Sequence, residues 1–526
     1  MGKITTKQVF KQYSQEQIFL LPPNLEELIP EAHLVRVVNQ IVEKMDLAAI
    51  YNSYKGGGTS AYHPKMLVKV LLYAYAMKIY TGRKIAKALR EDINFMWLAT
   101  QSRPDFRTIN GFRSGVLKGT IEDLFKSMLS FLVAHEYINF ENYFCDGSTF
   151  GANANRYKMV WKKNAERYQT AAVEKCKQLF EQIDLLNQSE DKQYGDKDLA
   201  ETGRQGINVD DKSIQQQVEK LNHIIKNTSI KKDKQKAESL KKKLAEHTAK
   251  IARYAHQKQT SRNRSGYSVT DTDATAMMMK NQEILPAYNI MIGSENQYIL
   301  NYTVHQNAND GVCFKEHINQ LEKHTDLSPD YIIADSIFGT QENYQLLEEK
   351  KIGNLMKFHL YQKEQSNKYK NNPYNRDNFP YDQNTDTYLC PNQKRLYFSH
   401  IKKDKNKNGF QMQSRVYECE DCAGCPFATA CKKSVEQNRT ITINIEFEYY
   451  KQQARQNLRT EKGAALKRRR GCEVETCFGD IKMNQNFKRF HLRGKQKIAV
   501  EFGIIAMAHN LRKIHLQLLR KYQNAA

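Results

Sequence analysis

Four strand-like runs set the frame for this 526-residue chain: Tyr143–Ala152 (YFCDGSTFGA), Tyr288–Ser294 (YNIMIGS), Tyr298–Gln306 (YILNYTVHQ) and Asp330–Thr340 (DYIIADSIFGT). A helical stretch near Phe314–Leu321 separates the last two. Strands, a helix and another strand in that order predict a mixed α/β sheet. Ahead of the first strand the texture is helical. Leu34, Val37, Val38, Ile41, Val42 and Met45 recur at the spacing of one amphipathic face. After a turn-rich break at Lys55–Ser60, Pro64 can open a helix, and Thr81 and Asp105 can cap two more. Short helices interleaved with Arg and Lys suit a helix-turn-helix-like DNA-binding unit, and equally a helical bundle with a solvated basic face.

The expected architecture is therefore mixed α and β, with a helical N-terminal domain over residues 1–140 and an α/β domain over 141–526. Two segments interrupt the second domain. Residues 160–262 are rich in Lys, Gln and Glu with a sparse seam of Leu240, Leu244 and Ile251, predicting a basic helical insertion such as a hairpin. Residues 360–445 predict loops, short strands and a cysteine-rich insertion. Helical periodicity returns at Ile498, Phe502, Ile505, His509 and Leu516.

Charge narrows the partners. Lys and Arg number 81 against 58 Asp and Glu, a formal +23, which points to a polyanion. No apolar run approaches the roughly 18 residues of a membrane span, so DNA is the expected partner and no membrane is. The N-terminus matches the loose myristoylation pattern from Gly2 to Thr6, a short pattern that carries little weight. Five of the ten cysteines crowd into residues 390–431 at metal-like spacing, favouring a reducing cytoplasm over disulfides.

Two acids stand out by context. Asp146 follows an aromatic-rich strand and precedes Gly147; Asp335 ends the apolar run YIIA ahead of Ser336 and Gly339. Carboxylates at the ends of buried strands repel unless a divalent cation sits between them, which is the layout of a Mg²⁺ site. A third ligand is expected at Glu475, in KRRRGCEVETCFGDIK. Lys482, seven residues on, shares its face on a regular helix and suits a phosphate contact. Asp271, Asp273 and Asp310 are expected to be structural or capping.

These residues carry a resemblance. The chain resembles bacterial insertion-sequence transposases of the DDE class, close to the family numbered eleven eighty-two. Tyr62–Ala99 followed by RPDFRTINGFR resembles their InsH-type N-terminal domain; Tyr143–Lys163, DYIIADSIFGT and VETCFGDIK resemble the segments bearing the three catalytic acids, at Asp146, Asp335 and Glu475. The resemblance implies an RNase H-like core, two Mg²⁺ (or Mn²⁺) ions per active site, and phosphoryl transfer that cuts transposon ends and joins them to target DNA. It also implies double-stranded DNA with terminal inverted repeats as substrate, a homodimer in the DNA complex, and a nucleoid-associated location in a bacterial cytoplasm. Related enzymes carry Tyr-x2-Arg-x3-Glu-x6-Lys around the last acid. Here Glu475 and Lys482 keep that spacing, but Arg468 and Gly471 stand at the Tyr and Arg positions, leaving Arg470 as the substitute DNA contact. An alignment on Glu473 would put Asp480 at the Lys position.

Further DNA contacts are expected at Arg83, Lys84, Arg107 and Arg113 in the N-terminal helices. Arg489 and Arg493, in NFKRFHLRG, lie four apart on one face if the helix continues. Cys390, Cys422, Cys425 and Cys431 are the expected ligands of one structural Zn²⁺, with Cys419 the alternative. A hydrolytic nuclease of the same fold, an inactive DNA-binding relic and a zinc-dependent scaffold are the rival readings.

Overall fold

The computed structural model describes residues 24–54, 61–194, 209–279, 281–406, 408–432, 434 and 436–525. The Gly2–Thr6 pattern and the Lys55–Ser60 break lie outside the described residues. The chain divides into two compact units: the described residues up to Asn139 with Asn484–Asn486 and the stretch from Phe502, and Phe140–Met483 with Phe487–Glu501.

The first unit is helical: α1 (Leu34–Lys44), α2 (Ala48–Asn52), α3 (Pro64–Ala76), α4 (Gly82–Glu91), α5 (Ile93–Leu98), α6 (Phe106–Gly111) and α7 (Leu117–Ala134). Its boundaries follow local chemistry. Pro64 opens α3, the Thr81 hydroxyl accepts from the Lys84 amide, and the Asp105 carboxylate accepts from the Thr108 amide at 2.8 Å. The α1 stripe Leu34, Val37, Val38, Ile41 and Val42 is buried, whereas α3 is buried on every side from Met66 to Ala76. Even Lys69 lies inside, its ammonium taken up by Asn39 and Glu43.

The second unit is built on an eight-stranded sheet of β1 (Asn142–Gly151), β2 (Met159–Trp161), β3 (Gly266–Ser268), β4 (Thr275–Met278), β5 (Ile284–Glu295), β6 (Tyr298–His305), β7 (Tyr331–Ile333) and β8 (Gly353–Asn354). Its order is β2-β3-β4-β5-β1-β7-β8, with β6 paired to β5. β1 is thus central, antiparallel to β5 (Asp146 opposite Ile292) and parallel to β7 (Phe144 opposite Ile333).

Among the described residues the basic insertion is three helices rather than a hairpin: α8 (Lys162–Tyr194), α9 (Asp211–Asn227) and α10 (Lys231–Ser261). They share a core of their own that includes Cys176, Phe180, Ile183, Leu221, Ile224, Leu240 and Leu244. α11 (Asp310–His324) and α12 (Gln341–Glu349) follow, then α13 (Asn367–Lys370). A second sheet, ordered β13-β12-β11-β10-β9, comprises β9 (Tyr381–Asp382), β10 (Thr387–Leu389), β11 (Arg395–Lys405), β12 (Gln411–Cys419) and β13 (Thr440–Ile443), with α14 (Ala428–Cys431) beside its cysteines. Its hairpin strands β11 and β12 are longer than the short strands expected. α15 (Ile445–Arg459) and α16 (Glu461–Arg470) lead into a π-helical turn at Gly471–Glu475, α17 (Thr476–Gly479), a second π-helical turn at Asp480–Asn484, and α18 (Lys495–Ala525).

Candidate active site

Asp146, Asp335 and Glu475 arrive from three separate elements. Asp146 sits mid-way along β1, its carboxylate accepting the Gly147 amide at 2.9 Å. Asp335 stands just past β7, at the start of a 3₁₀ turn over Ser336–Phe338. Glu475 closes the first π-helical turn. One guanidinium touches all three: Arg470 lies 3.6 Å from Asp146, 3.9 Å from Asp335 and 2.9 Å from Glu475. Burial pushes the Asp146 carboxyl up to about 6; the Gly147 amide and Arg470 oppose this, and the negative charges of Asp310 and Glu475 reinforce it.

Oxygen-only donors of this kind suit a hard divalent cation, Mg²⁺ or Mn²⁺. The charge that meets them here is the guanidinium, one of whose nitrogens, Nη1, is buried without a hydrogen bond. Among the described residues no group of three or more His, Cys, Asp or Glu is closed tightly enough to hold a metal ion. The donor chemistry thus fits a divalent cation, and the side-chain arrangement is the one that Arg470 imposes.

Lys482 lies elsewhere than a regular helix would put it, because the π-helical turns on either side of α17 change the residues per turn. Its ammonium donates to the Ser148 hydroxyl (2.6 Å) and the Thr149 carbonyl (2.7 Å) and covers the Phe150 ring at 4.2 Å. It braces β1 two to three residues beyond Asp146. Arg489 and Arg493 are in a loop, not on a helix face. Arg489 forms a bridge with Gly151 and donates to the Ala152 carbonyl, and Arg493 donates to that of Asn153.

Carboxylates from other elements hold that loop. Glu501 accepts the His491 and Leu492 amides, Asp271 the Gly494 amide and the Tyr288 hydroxyl, and Asp273 the Lys495 amide. The structural roles expected for Asp271 and Asp273 take this form. Asp310 is not a cap: Asn309 caps α11 and Asp310 is its first residue. Its carboxylate packs over Gly147, where a Cβ would lie 2.5 Å away, so glycine is required beside Asp146. Sequence reasoning missed this neighbour because only β5 and α11 packing brings it there.

In the first unit, Arg83 and Lys84 are exposed on α4, and Arg83 and the exposed Arg107 lie over the Phe106 ring at 5.1 and 5.7 Å. Arg113 is a correction. It is 3% exposed, donating to the Tyr75 hydroxyl and the Tyr80 carbonyl, so it serves the core and not a DNA surface. The cysteines Cys390, Cys419, Cys422, Cys425 and Cys431 line one small cavity. Backbone amides of Lys394 and Arg439 point at the sulfurs of Cys390 (3.4 Å) and Cys422 (3.3 Å). Cys145 and Cys477 are buried, and Cys472 is exposed.

Residues 389–515 match the family described as Transposase DDE domain, and residues 23–115 match the Transposase domain (DUF772). By family, the chain is an insertion-sequence DDE transposase. The DDE-domain match spans the cysteine-rich sheet, Arg470, Glu475 and Lys482 of this transposase, while Asp146 and Asp335 precede it. No curated protein and no solved structure matches the chain. No helix among the described residues of the transposase is long and apolar enough to cross a membrane.

Proposed function

We propose that this transposase cuts the ends of an insertion sequence and joins them to target DNA at Asp146, Asp335 and Glu475, in an RNase H-like core of the family numbered eleven eighty-two. The observation that carries this reading is the single guanidinium within 4 Å of all three acids, from three elements of one sheet-based unit. Asp146, Asp335 and Glu475 would hold the two Mg²⁺ or Mn²⁺ ions of this reading, which would supply Lewis acidity to phosphodiester displacement. The chain's own groups do the rest. The Gly147 amide holds the Asp146 carboxylate in one orientation, Lys482 keeps β1 straight beneath it, and the more open Asp335 and Glu475 complete the ligand set. Arg470 neutralises these acids and is the nearest cation for a scissile phosphate, a charge-assisted hydrogen bond.

The domain limits that go with this reading are 1–140 for end recognition, with Arg83, Lys84 and Arg107 toward DNA, and 141–526 for catalysis, interrupted by 160–262 and 360–445. The partners are duplex ends and target DNA, held by a homodimer in a bacterial cytoplasm. Cys390, Cys422, Cys425 and Cys431 are assigned to one structural Zn²⁺, with Cys419 as alternative; the shared cavity and the two N–H···S contacts support this, and the metal would have to draw the thiols closer than they stand.

The test is divalent-ion-dependent cleavage and strand transfer on DNA carrying the element's own ends. Asp146→Asn, Asp335→Asn and Glu475→Gln are expected to bind those ends like the wild type while neither cutting nor joining. Wild-type binding without either reaction would leave a DNA-binding relic, and cutting without joining a hydrolytic nuclease.

A further inference from the structure

Three Arg-Tyr dipeptides share one geometry at the end of the second unit where β1 gives way to the helical insertion. The Arg156 guanidinium lies 4.8 Å from the Tyr157 ring centroid, Arg167 4.9 Å from Tyr168, and Arg253 5.7 Å from Tyr254. Among the described residues none of these guanidiniums is paired with a carboxylate; Arg156 and Arg167 donate only to the hydroxyls of the rings beneath them. The rings are open. Tyr157 is 79% exposed and Tyr168 46%. Tyr168 and Tyr254 join α8 to α10 at 5.8 Å between centroids, and Trp161, itself exposed, is the last residue of β2, directly before α8 begins.

The first of these pairs follows in sequence from the strand that carries Asp146. β1 runs from Asp146 to Gly151, about 16 Å of strand. Beyond it, Asn153 donates to the His491 carbonyl, while Arg489 and Arg493 hold the carbonyls of Ala152 and Asn153. The basic loop and the first Arg-Tyr pair therefore form one continuous stretch. A large aromatic ring left mostly in water gains nothing from its own fold. A ring with a cation beside it that is not paired with a carboxylate offers both things that a nucleic-acid strand needs: a stacking face and a phosphate partner.

We propose that these Arg-Tyr pairs form a platform for unpaired DNA bases beside the acids, with the bases on the tyrosine faces and the phosphates on the guanidiniums. Unpaired bases are specified because a paired base has its faces covered by its neighbours in the duplex. That the strand is DNA rests on the transposase reading.

Fluorescence anisotropy of the full chain tests this with two labelled probes, a thymidine oligonucleotide and a mixed-sequence duplex of equal length, at one salt concentration. Tyr157→Ala and Tyr168→Ala should each weaken single-strand binding on the order of tenfold, and Tyr→Phe at both should leave it within about twofold. Duplex binding should stay within about twofold throughout, because backbone contacts alone carry it. Single-strand affinity unchanged in the alanine variants would overturn the proposal, as would equal losses on both probes, which mark a phosphate surface without stacking. Melting curves guard against misfolding; if the alanine variants melt early, Arg156→Gln with Arg167→Gln must still weaken the single-strand complex, and no loss there overturns it. Wild type that binds through the tyrosines yet neither cuts nor joins would keep the platform and remove the transposase activity.

Discussion

A guanidinium shared by three carboxylates leaves them facing each other when it is removed. Asp335 and Glu475 are about half exposed and lose little, whereas Asp146 is mostly buried and bears most of the cost. Arg470→Gln is expected to lower stability without metal by about 1–2 kcal/mol, and added Mg²⁺ to restore more of it than it gives the wild type. Melting curves with and without Mg²⁺ check this; an unchanged midpoint would show the pairing to be incidental. Acid sensitivity comes from other groups. His317 is enclosed between the Tyr143 and Thr303 hydroxyls, and His324 faces the Asn301 side chain. Burial lowers both, His324 to about 4. Their neutral forms are favoured in the folded chain, so below about 6.5 the unfolded chain takes up protons first and stability falls as pH drops toward 4. The melting temperature should be level from pH 8 to 7 and decline between 6 and 4.5, less steeply in His324→Gln. Asp146 and Asp335 stand out as candidates in the sequence because each follows or interrupts an apolar strand with an acid beside small residues. The burial of Arg113 is not legible there, since its partners Tyr75 and Tyr80 lie more than thirty positions away.

The insertion helices behave as an element with its own core. Phe180, 1% exposed, packs among α8, α9 and α10. Phe180→Ala should cost about 3–5 kcal/mol within that core. Hydrogen exchange is expected to quicken across α8–α10 and to stay slow in β1, β5 and β6; uniform acceleration would mean that the insertion has no independent stability. The cysteine sheet gives a second test. One zinc per chain by metal analysis, absent in Cys422→Ser, is the expected result; burial first, and then the neighbouring cysteines, hold the thiols of Cys419 (about 12) and Cys431 above their ordinary value. An insertion at 160–262 was readable from composition, but its third helix was not, because the seam gave no heptad to count. β11 escaped period-two reading because most of it is exposed on both faces. The loop after Phe487 looked helical by spacing and is extended because Glu501, Asp271 and Asp273 take its amides.

At the scale of the molecule, the excess of 23 positive charges said polyanion without saying where. The described surfaces sort that charge into the exposed cations of α4 and Arg107, the loop cations Arg489 and Arg493, which reach backbone carbonyls near the acids, and the Arg-Tyr pairs with no acid partner. The family match reaches Glu475 by sequence, whereas Asp146 and Asp335 join it only through the order of β1, β7 and the turns after α16. The account depends on those acids taking a divalent cation in place of Arg470. Diffraction at the manganese edge from crystals of the full chain soaked in Mn²⁺ asks this directly. The account predicts anomalous density within coordination reach of Asp146, Asp335 and Glu475, with the Arg470 side chain displaced. A site without such density, the guanidinium still bridging the three carboxylates at the same Mn²⁺ concentration, would contradict it.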